Sequence, residues 1–172
     1  PDKPKERPHL SVHLVLDVSG SMQGESIQQA RTAAQSLVDK LAPTDDFSLV
    51  TFSSSAQVLV PDGPVGSRRE SIKKTIADIK EGGGTNISGG LELGYHEAQS
   101  KNIPAAAVKV VLLLSDGRAN SGILSADGVS KLALDAFQNG IQTSTFGLGA
   151  DYDGALMSTI AVTFASSPSF LK

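Results

Sequence analysis

The sequence predicts an α/β protein built on a doubly wound, mostly parallel sheet, with helices on both faces and one antiparallel edge strand. Three observations predict it. Short runs of branched apolar residues alternate along the chain with amphipathic stretches of helical period. Those runs are close to continuously apolar, as strands covered on both faces are. One pair of runs, 47–52 and 57–60, is separated only by three serines and an alanine, which marks a hairpin at the edge of the sheet.

Each element has its own signal. Leu10 to Leu16 is apolar apart from Ser11 and His13 and ends at Asp17, so it reads as a buried strand. Gly20 and Gly24 punctuate the loop that follows. Ile27, Ala30, Ala34, Leu37, Val38 and Leu41 then share one face of a helix that Pro43 stops. Ile72, Ile76 and Ile79, at i, i+4 and i+7, carry a second helix that runs to the glycines 82–84. A third starts at Ser88, whose hydroxyl suits an N-cap, and continues through Leu91, Tyr95 and Ala98. Val108 to Leu114 is the most apolar run and is expected mid-sheet. Val129, Leu132, Ala133, Ala136 and Phe137 mark the next helix, ended by a left-handed Gly140. A strand over 141–148 and a short helix over 156–160 complete the pattern. Tyr95, Phe137 and Phe146 are expected in the core.

At 172 residues the chain suits one domain and is too short for two ordinary ones. Residues 1–8, with three prolines among charged residues, read as an extended polar linker, and 9–172 as the domain. The net charge of −3 gives no broad basic surface, which argues against nucleic acid and anionic membranes as partners. The 108–114 run is far too short to span a bilayer. With no cysteine, disulfides, zinc thiolates and thiol catalysis are excluded. The lack of cysteine fits either side of the membrane; with the polar leader it suits an extracytoplasmic module, whether secreted, periplasmic or surface-tethered, over the cytoplasmic alternative. The oligomeric state is left open by the sequence.

In a doubly wound sheet, ligands bind at the carboxyl ends of the strands where strand order reverses. Three loops there carry related chemistry: Asp17-Val-Ser19-Gly-Ser21, Gly82-Gly-Gly-Thr85-Asn86 and Ser115-Asp116-Gly117. Together Asp17, Ser19, Ser21, Thr85 and Asp116 offer two carboxylates and three hydroxyls, with no sulfur and no imidazole. Such hard oxygen donors suit a small divalent cation, Mg²⁺ or Mn²⁺, with Ca²⁺ as a further possibility. Alternate residues 17, 19 and 21, leaving a strand on a turn, are able to aim three oxygens at one point. An isolated Asp-x-Ser-x-Ser would be an ordinary turn; the two further loops make the metal site the stronger reading.

Asp17-Val-Ser19-Gly-Ser21-Met22, then Gly-Gly-Thr85-Asn86-Ile, then Leu-Leu-Ser-Asp116-Gly117, in this order and spacing, resemble the metal-ion-dependent adhesion site of von Willebrand factor type A domains. The resemblance runs over residues 9–161 and includes the junctions at Pro43-Thr-Asp-Asp-Phe47 and Gly147-Leu-Gly-Ala-Asp-Tyr-Asp153. It implies a Rossmann-like fold. It also implies that Ser19 and Ser21 bind a cation directly and Thr85 directly or through a water. Asp17 and Asp116 would hold coordinated waters or bind directly. The implied function is metal-dependent adhesion: an Asp or Glu carboxylate of a protein partner completes the coordination, with Met22, Gln23, Asn86, Gly117 and Arg118 on the rim. After residue 160 the chain departs from the family, whose final strand and helix find no clear counterpart in 161–172.

The rival is an enzyme, a Mg²⁺-dependent phosphatase or phosphotransferase with Asp17 as nucleophile. Haloacid-dehalogenase-like sites need a second aspartate two residues on, where this chain has Ser19. No Gly-x-Ser-x-Gly elbow with a base histidine is present either. Of the imidazoles, His9 and His13 lack a third ligand and read as structural, not as a zinc pair. The expected function is binding, not catalysis.

Overall fold

The computed structural model describes residues 7–116, 122–123 and 125–148. The helix read at 156–160 and the divergent stretch 161–172 lie outside the described residues. One mixed sheet holds five strands, β1 (Leu10–Asp17), β2 (Asp46–Phe52), β3 (Ala56–Val60), β4 (Val108–Ser115) and β5 (Ile141–Gly147), in the order β3-β2-β1-β4-β5. Only β2 and β3 pair antiparallel; β1 with β2, β1 with β4, and β4 with β5 are parallel. The helices are α1 (Glu25–Lys40), α2 (Arg69–Ala77), α3 (Ile87–Ala98) and α4 (Ala126–Gln138). The predicted doubly wound sheet with its antiparallel edge is therefore the observed one, and it is Rossmann-like.

The pleat of β1 explains the two cores. Val12, Leu14 and Leu16 point to one face, where they meet Ile27, Ala30, Ala34 and Val38 of α1 and Ile72 and Ile76 of α2. Val15 points to the other, with Leu91 and Tyr95 of α3 and Val129 and Ala133 of α4. Helix α3 lies unusually close to the sheet. A Cβ at Gly94 would stand 2.4 Å from Val15 Cγ2, and one at Gly90 2.5 Å from Phe52 Cδ1, so only glycine permits this approach.

Several local readings need correction. Strand β4 lies inside the sheet between β1 and β5, as expected, but it starts with the exposed Val108, and the strands buried along all or nearly all of their length are β1 and β2. Phe146, expected in the core, is 53 % exposed. It sits with Leu14, Ala33, Leu37, Leu112, Leu114 and Leu148 along a groove of about 530 Å³, on the face of β5 opposite Ile141, which packs with α4. Helix α2 stops at Ala77 rather than at the glycines, although Ile79 beyond it is buried. Asn86, not Ser88, caps α3: its side-chain oxygen accepts from the Gly89 amide at 2.9 Å. Gly140 does end α4 at φ 80°, as expected.

The lower end of the sheet is held by charge. Arg7, read as linker, donates two hydrogen bonds to Asp45, at 2.9 and 2.7 Å. Burial pushes the Asp45 carboxyl up, but Arg7 and the amides of Leu10 and Ala42 outweigh it and hold it below its ordinary value. His9 pairs with Asp46 at 2.7 Å. His13 is fully buried, its ring nitrogens 2.7 Å from the hydroxyls of Ser11 and Ser48, which makes it a structural histidine as the sequence suggested. No helix among the described residues is long and apolar enough to cross a membrane.

Candidate metal site

The chain runs outward from β1 through β2 to β3, then crosses to β4 on the other side of β1 and on to β5. Strand order thus reverses between β1 and β4, and their carboxyl ends flank the crevice where this kind of sheet binds ligands. Asp17 is the last residue of β1. Ser115 is the last of β4, and Asp116 follows it. Parallel pairing of Leu16 with Leu114 sets these ends side by side.

Asp17 is fully buried and accepts two hydrogen bonds, from the Ser19 amide at 2.8 Å and from the Ser115 hydroxyl at 2.6 Å. Burial drives its carboxyl above the usual range; the bonds from Ser115 and Ser19 offset part of that, and the charge of Asp116 adds to it. Asp116 is itself 6 % exposed. Ser19 is buried and precedes a short 3-10 turn, Gly20–Met22, which brings the Ser21 hydroxyl back to 3.0 Å from its own. Ser21 is exposed, so this hydroxyl pair spans from the buried carboxylate to the surface.

The glycine loop is stitched to that turn. The Gly82 amide donates to Val18 O at 2.8 Å and the Gly20 amide to Gly83 O at 3.0 Å. Gly83 adopts φ 85°, a conformation that favours glycine. Thr85, two residues on, is 2 % exposed. Asn86 next to it opens α3, whose Ser88 donates to Asn86 Oδ1 at 3.0 Å and accepts from the Ile123 amide at 2.9 Å. The Ser88 hydroxyl therefore joins the Thr85 loop to the returning end of the segment that leaves Asp116.

The five residues singled out as ligands thus lie on three loops that backbone pairing and hydrogen bonds hold at one end of the sheet. The rim residues fare differently. Met22 is fully buried among the core side chains of α1 and β1, since a large apolar side chain on a one-turn loop is drawn beneath it, and it is not available at a rim. Gln23 is exposed on the first loop, and Asn86 is engaged as a helix cap. Gly117 and Arg118 lie outside the described residues. Sequence reasoning placed Ser115 in the third loop but gave it no role; in the structure it is the donor to Asp17.

The donor chemistry fits a small hard cation. The charge of Asp116 adds to the cost of ionising the buried Asp17 carboxylate, a cost that a divalent ion would offset, and neutral hydroxyls stand beside them. Among the described residues no group of three or more His, Cys, Asp or Glu is placed to hold a metal, so hydroxyl oxygens would have to supply a large part of any coordination here.

A sequence model of the von Willebrand factor type A domain matches residues 11–171. An uncharacterized protein of Synechocystis is 31 % identical over 163 residues, 95 % of this chain and 38 % of that protein. A human inter-alpha-trypsin inhibitor heavy chain is 30 % identical over 159 residues, 88 % of this chain and 17 % of that one. The chain therefore spans well under half the length of these curated relatives. In solved structures, a von Willebrand factor type A protein from Catenulispora acidiphila superposes with TM-score 0.76 at 20 % identity, covering 91 % of this chain and 37 % of that one. Proximal thread matrix protein 1 from the mussel byssus, solved with a zinc-occupied metal-ion-dependent adhesion motif, gives 0.75 at 23 %, covering 90 % and 41 %. These two structural likenesses speak to the fold alone.

Proposed function

This chain belongs to the von Willebrand factor type A domain family, and from that premise we propose that it is a metal-dependent protein-binding module. Asp17, Ser19, Ser21, Thr85 and Asp116 would hold one divalent cation, Mg²⁺ or Mn²⁺ before Ca²⁺, and a carboxylate of a protein partner would complete its coordination. The observation that carries the reading is the buried Asp17 carboxylate. It is pinned by Ser19 and Ser115, pressed by the charge of Asp116, and lies two residues from paired hydroxyls that reach the surface.

The cation would supply the largest positive charge at the interface and an electrophilic point for a partner's acid group. The residues do the rest. Ser115 and the Ser19 amide fix both Asp17 oxygens, so its carboxylate cannot swing. The neutral hydroxyls contribute donors without cancelling the ion's charge, which preserves attraction for an incoming carboxylate. A divalent cation on a similarly folded mussel protein, named above, supports the reading by analogy. Catalysis by Asp17 is disfavoured because Ser19 stands where a haloacid-dehalogenase-like site needs its second aspartate. An extracytoplasmic setting, whether secreted, periplasmic or surface-tethered, is part of the same proposal.

Calorimetric titration with Mn²⁺ tests it. Wild type should bind one ion, and Asp17→Ala and Thr85→Ala should bind it far more weakly; equal binding by all three would refute the assignment. Capture of a carboxylate-bearing partner should then require the ion and be reversed by chelator.

A further inference from the structure

The residues around Thr85 are fastened on two sides. Gly82 and Gly83 are bonded through their backbones to Val18 and Gly20 of the first loop. Gly84 and Asn86, the immediate neighbours of Thr85, are bonded instead to the turn between β2 and β3. The Gly84 amide donates to the Ser54 hydroxyl at 2.8 Å, and the Asn86 amide donates to Ser53 O at 2.7 Å. That turn is closed on itself by the Ser53 amide, which donates to Ser55 O at 2.9 Å. Its fit to the glycine loop is tight: a Cβ on Gly83 would lie 3.3 Å from Ser54 Oγ and 3.4 Å from Ser53 Oγ.

Of the four bonds that fasten the glycine loop to its neighbours, three join backbone to backbone and so survive a change of side chain. The fourth depends on the Ser54 hydroxyl. We infer that Ser54 is a positioning residue for Thr85, acting through the Gly84 amide, and thereby sets how tightly the site holds its cation. The inference rests on the metal-site reading given above. It is independent of the five ligand positions, since Ser54 contributes no donor to the ion.

Exposure of Ser54 is what separates this role from a purely structural one. When its hydroxyl is removed, water reaches the Gly84 amide, so the loop is not left with a buried orphan donor and the fold persists. What water does not provide is a fixed anchor. Thr85 then samples a wider range, and an ion that needs an oxygen at a set distance binds less well, because small cations tolerate little displacement of their ligands.

The test is Mn²⁺ titration followed by the electron paramagnetic resonance of free Mn²⁺, for wild type, Ser54→Ala, Ser54→Thr and Asp17→Ala, with thermal unfolding of each metal-free protein. Ser54→Ala should bind about fivefold more weakly, the equivalent of one ordinary hydrogen bond, with an unchanged metal-free unfolding midpoint. Ser54→Thr, which keeps the hydroxyl, should restore the affinity. Ser54→Ala binding like wild type while Asp17→Ala does not would overturn the inference and leave the metal-site reading standing. So would a loss that Ser54→Thr fails to rescue. Wild type that binds no Mn²⁺ would overturn both.

Discussion

His13 gives the most direct test of the fold's energetics. It lies at the centre of β1, fully buried, with both ring nitrogens 2.7 Å from serine hydroxyls and no carboxylate partner among the described residues. Burial, helped by the charge of Lys109, lowers its pKa to about 4 from an ordinary 6.5. The unfolded chain therefore takes up a proton near pH 6.5, while the folded protein resists until about pH 4. In that window the unfolded state binds more protons, so stability is full above it and is lost as the pH falls. A difference of roughly 2.5 units at 1.36 kcal/mol each amounts to about 3 kcal/mol, of which about 2 kcal/mol is lost by pH 5. Urea unfolding of wild type and His13→Gln at pH 7.5, 6 and 5 would measure it, with His13→Phe as a second non-titrating variant. The expected result is a gap between wild type and variant that narrows or reverses by about 2 kcal/mol across that range. Parallel pH profiles would refute the reasoning. The Arg7–Asp45 pair does not confuse the measurement, because it is common to wild type and variant and cancels in their difference.

Other outcomes follow from the packing and the site. Gly94→Ala should destabilise by about 1–3 kcal/mol despite alanine's better helix propensity, because the new Cβ would stand 2.4 Å from Val15; urea unfolding showing a gain would contradict the close approach of α3. Gly122→Ala combines a φ of 73° with a Cβ 2.0 Å from Asn86 Oδ1, so it should weaken Mn²⁺ binding while the circular dichroism of the sheet and helices persists. Saturating the site with Mg²⁺ at a hundred times its dissociation constant should raise stability by about 2.7 kcal/mol, read as a shift in the urea midpoint that chelator removes and that Asp17→Ala lacks.

The parts of this molecule legible in the sequence are those written in period and in residue type. Alternation of strands and helices gave the doubly wound sheet, since Leu14 and Leu16 need one helical layer and Val15 the other. The oxygen-bearing loops were legible because hard-ligand chemistry restricts residue types, and a doubly wound topology restricts where they meet. What the one-dimensional pattern could not supply was neighbours. Apolar character placed Phe146 in the core, but burial depends on which face of β5 meets a helix, and α4 packs on the Ile141 face instead. Ser88 had the right chemistry for a cap, yet Asn86 stands where the chain enters the helix, leaving Ser88 to bridge two loops. Met22 beside the motif looked like a contact residue, yet its size and apolarity carry it inward.

The same bonds that shape the candidate site also close the sheet. The Ser115 hydroxyl on Asp17 joins the ends of two parallel strands, and the Val18–Gly82 and Gly20–Gly83 bonds fix the exit of β1 against the entry to α3. A buried Asp17 with a raised carboxyl costs stability near neutral pH, because its ionised form is opposed by burial and by Asp116. Removing that charge relieves the cost but leaves Ser115 and the Ser19 amide without their acceptor. The two effects have opposite signs, so metal affinity and metal-free stability need not fall together on substitution at position 17. A site that is only a rigid turn would show them falling together; a site built to be completed by a cation would show the metal-free protein tolerating Asp17→Asn, which keeps an acceptor for the Ser19 amide, while losing the ion.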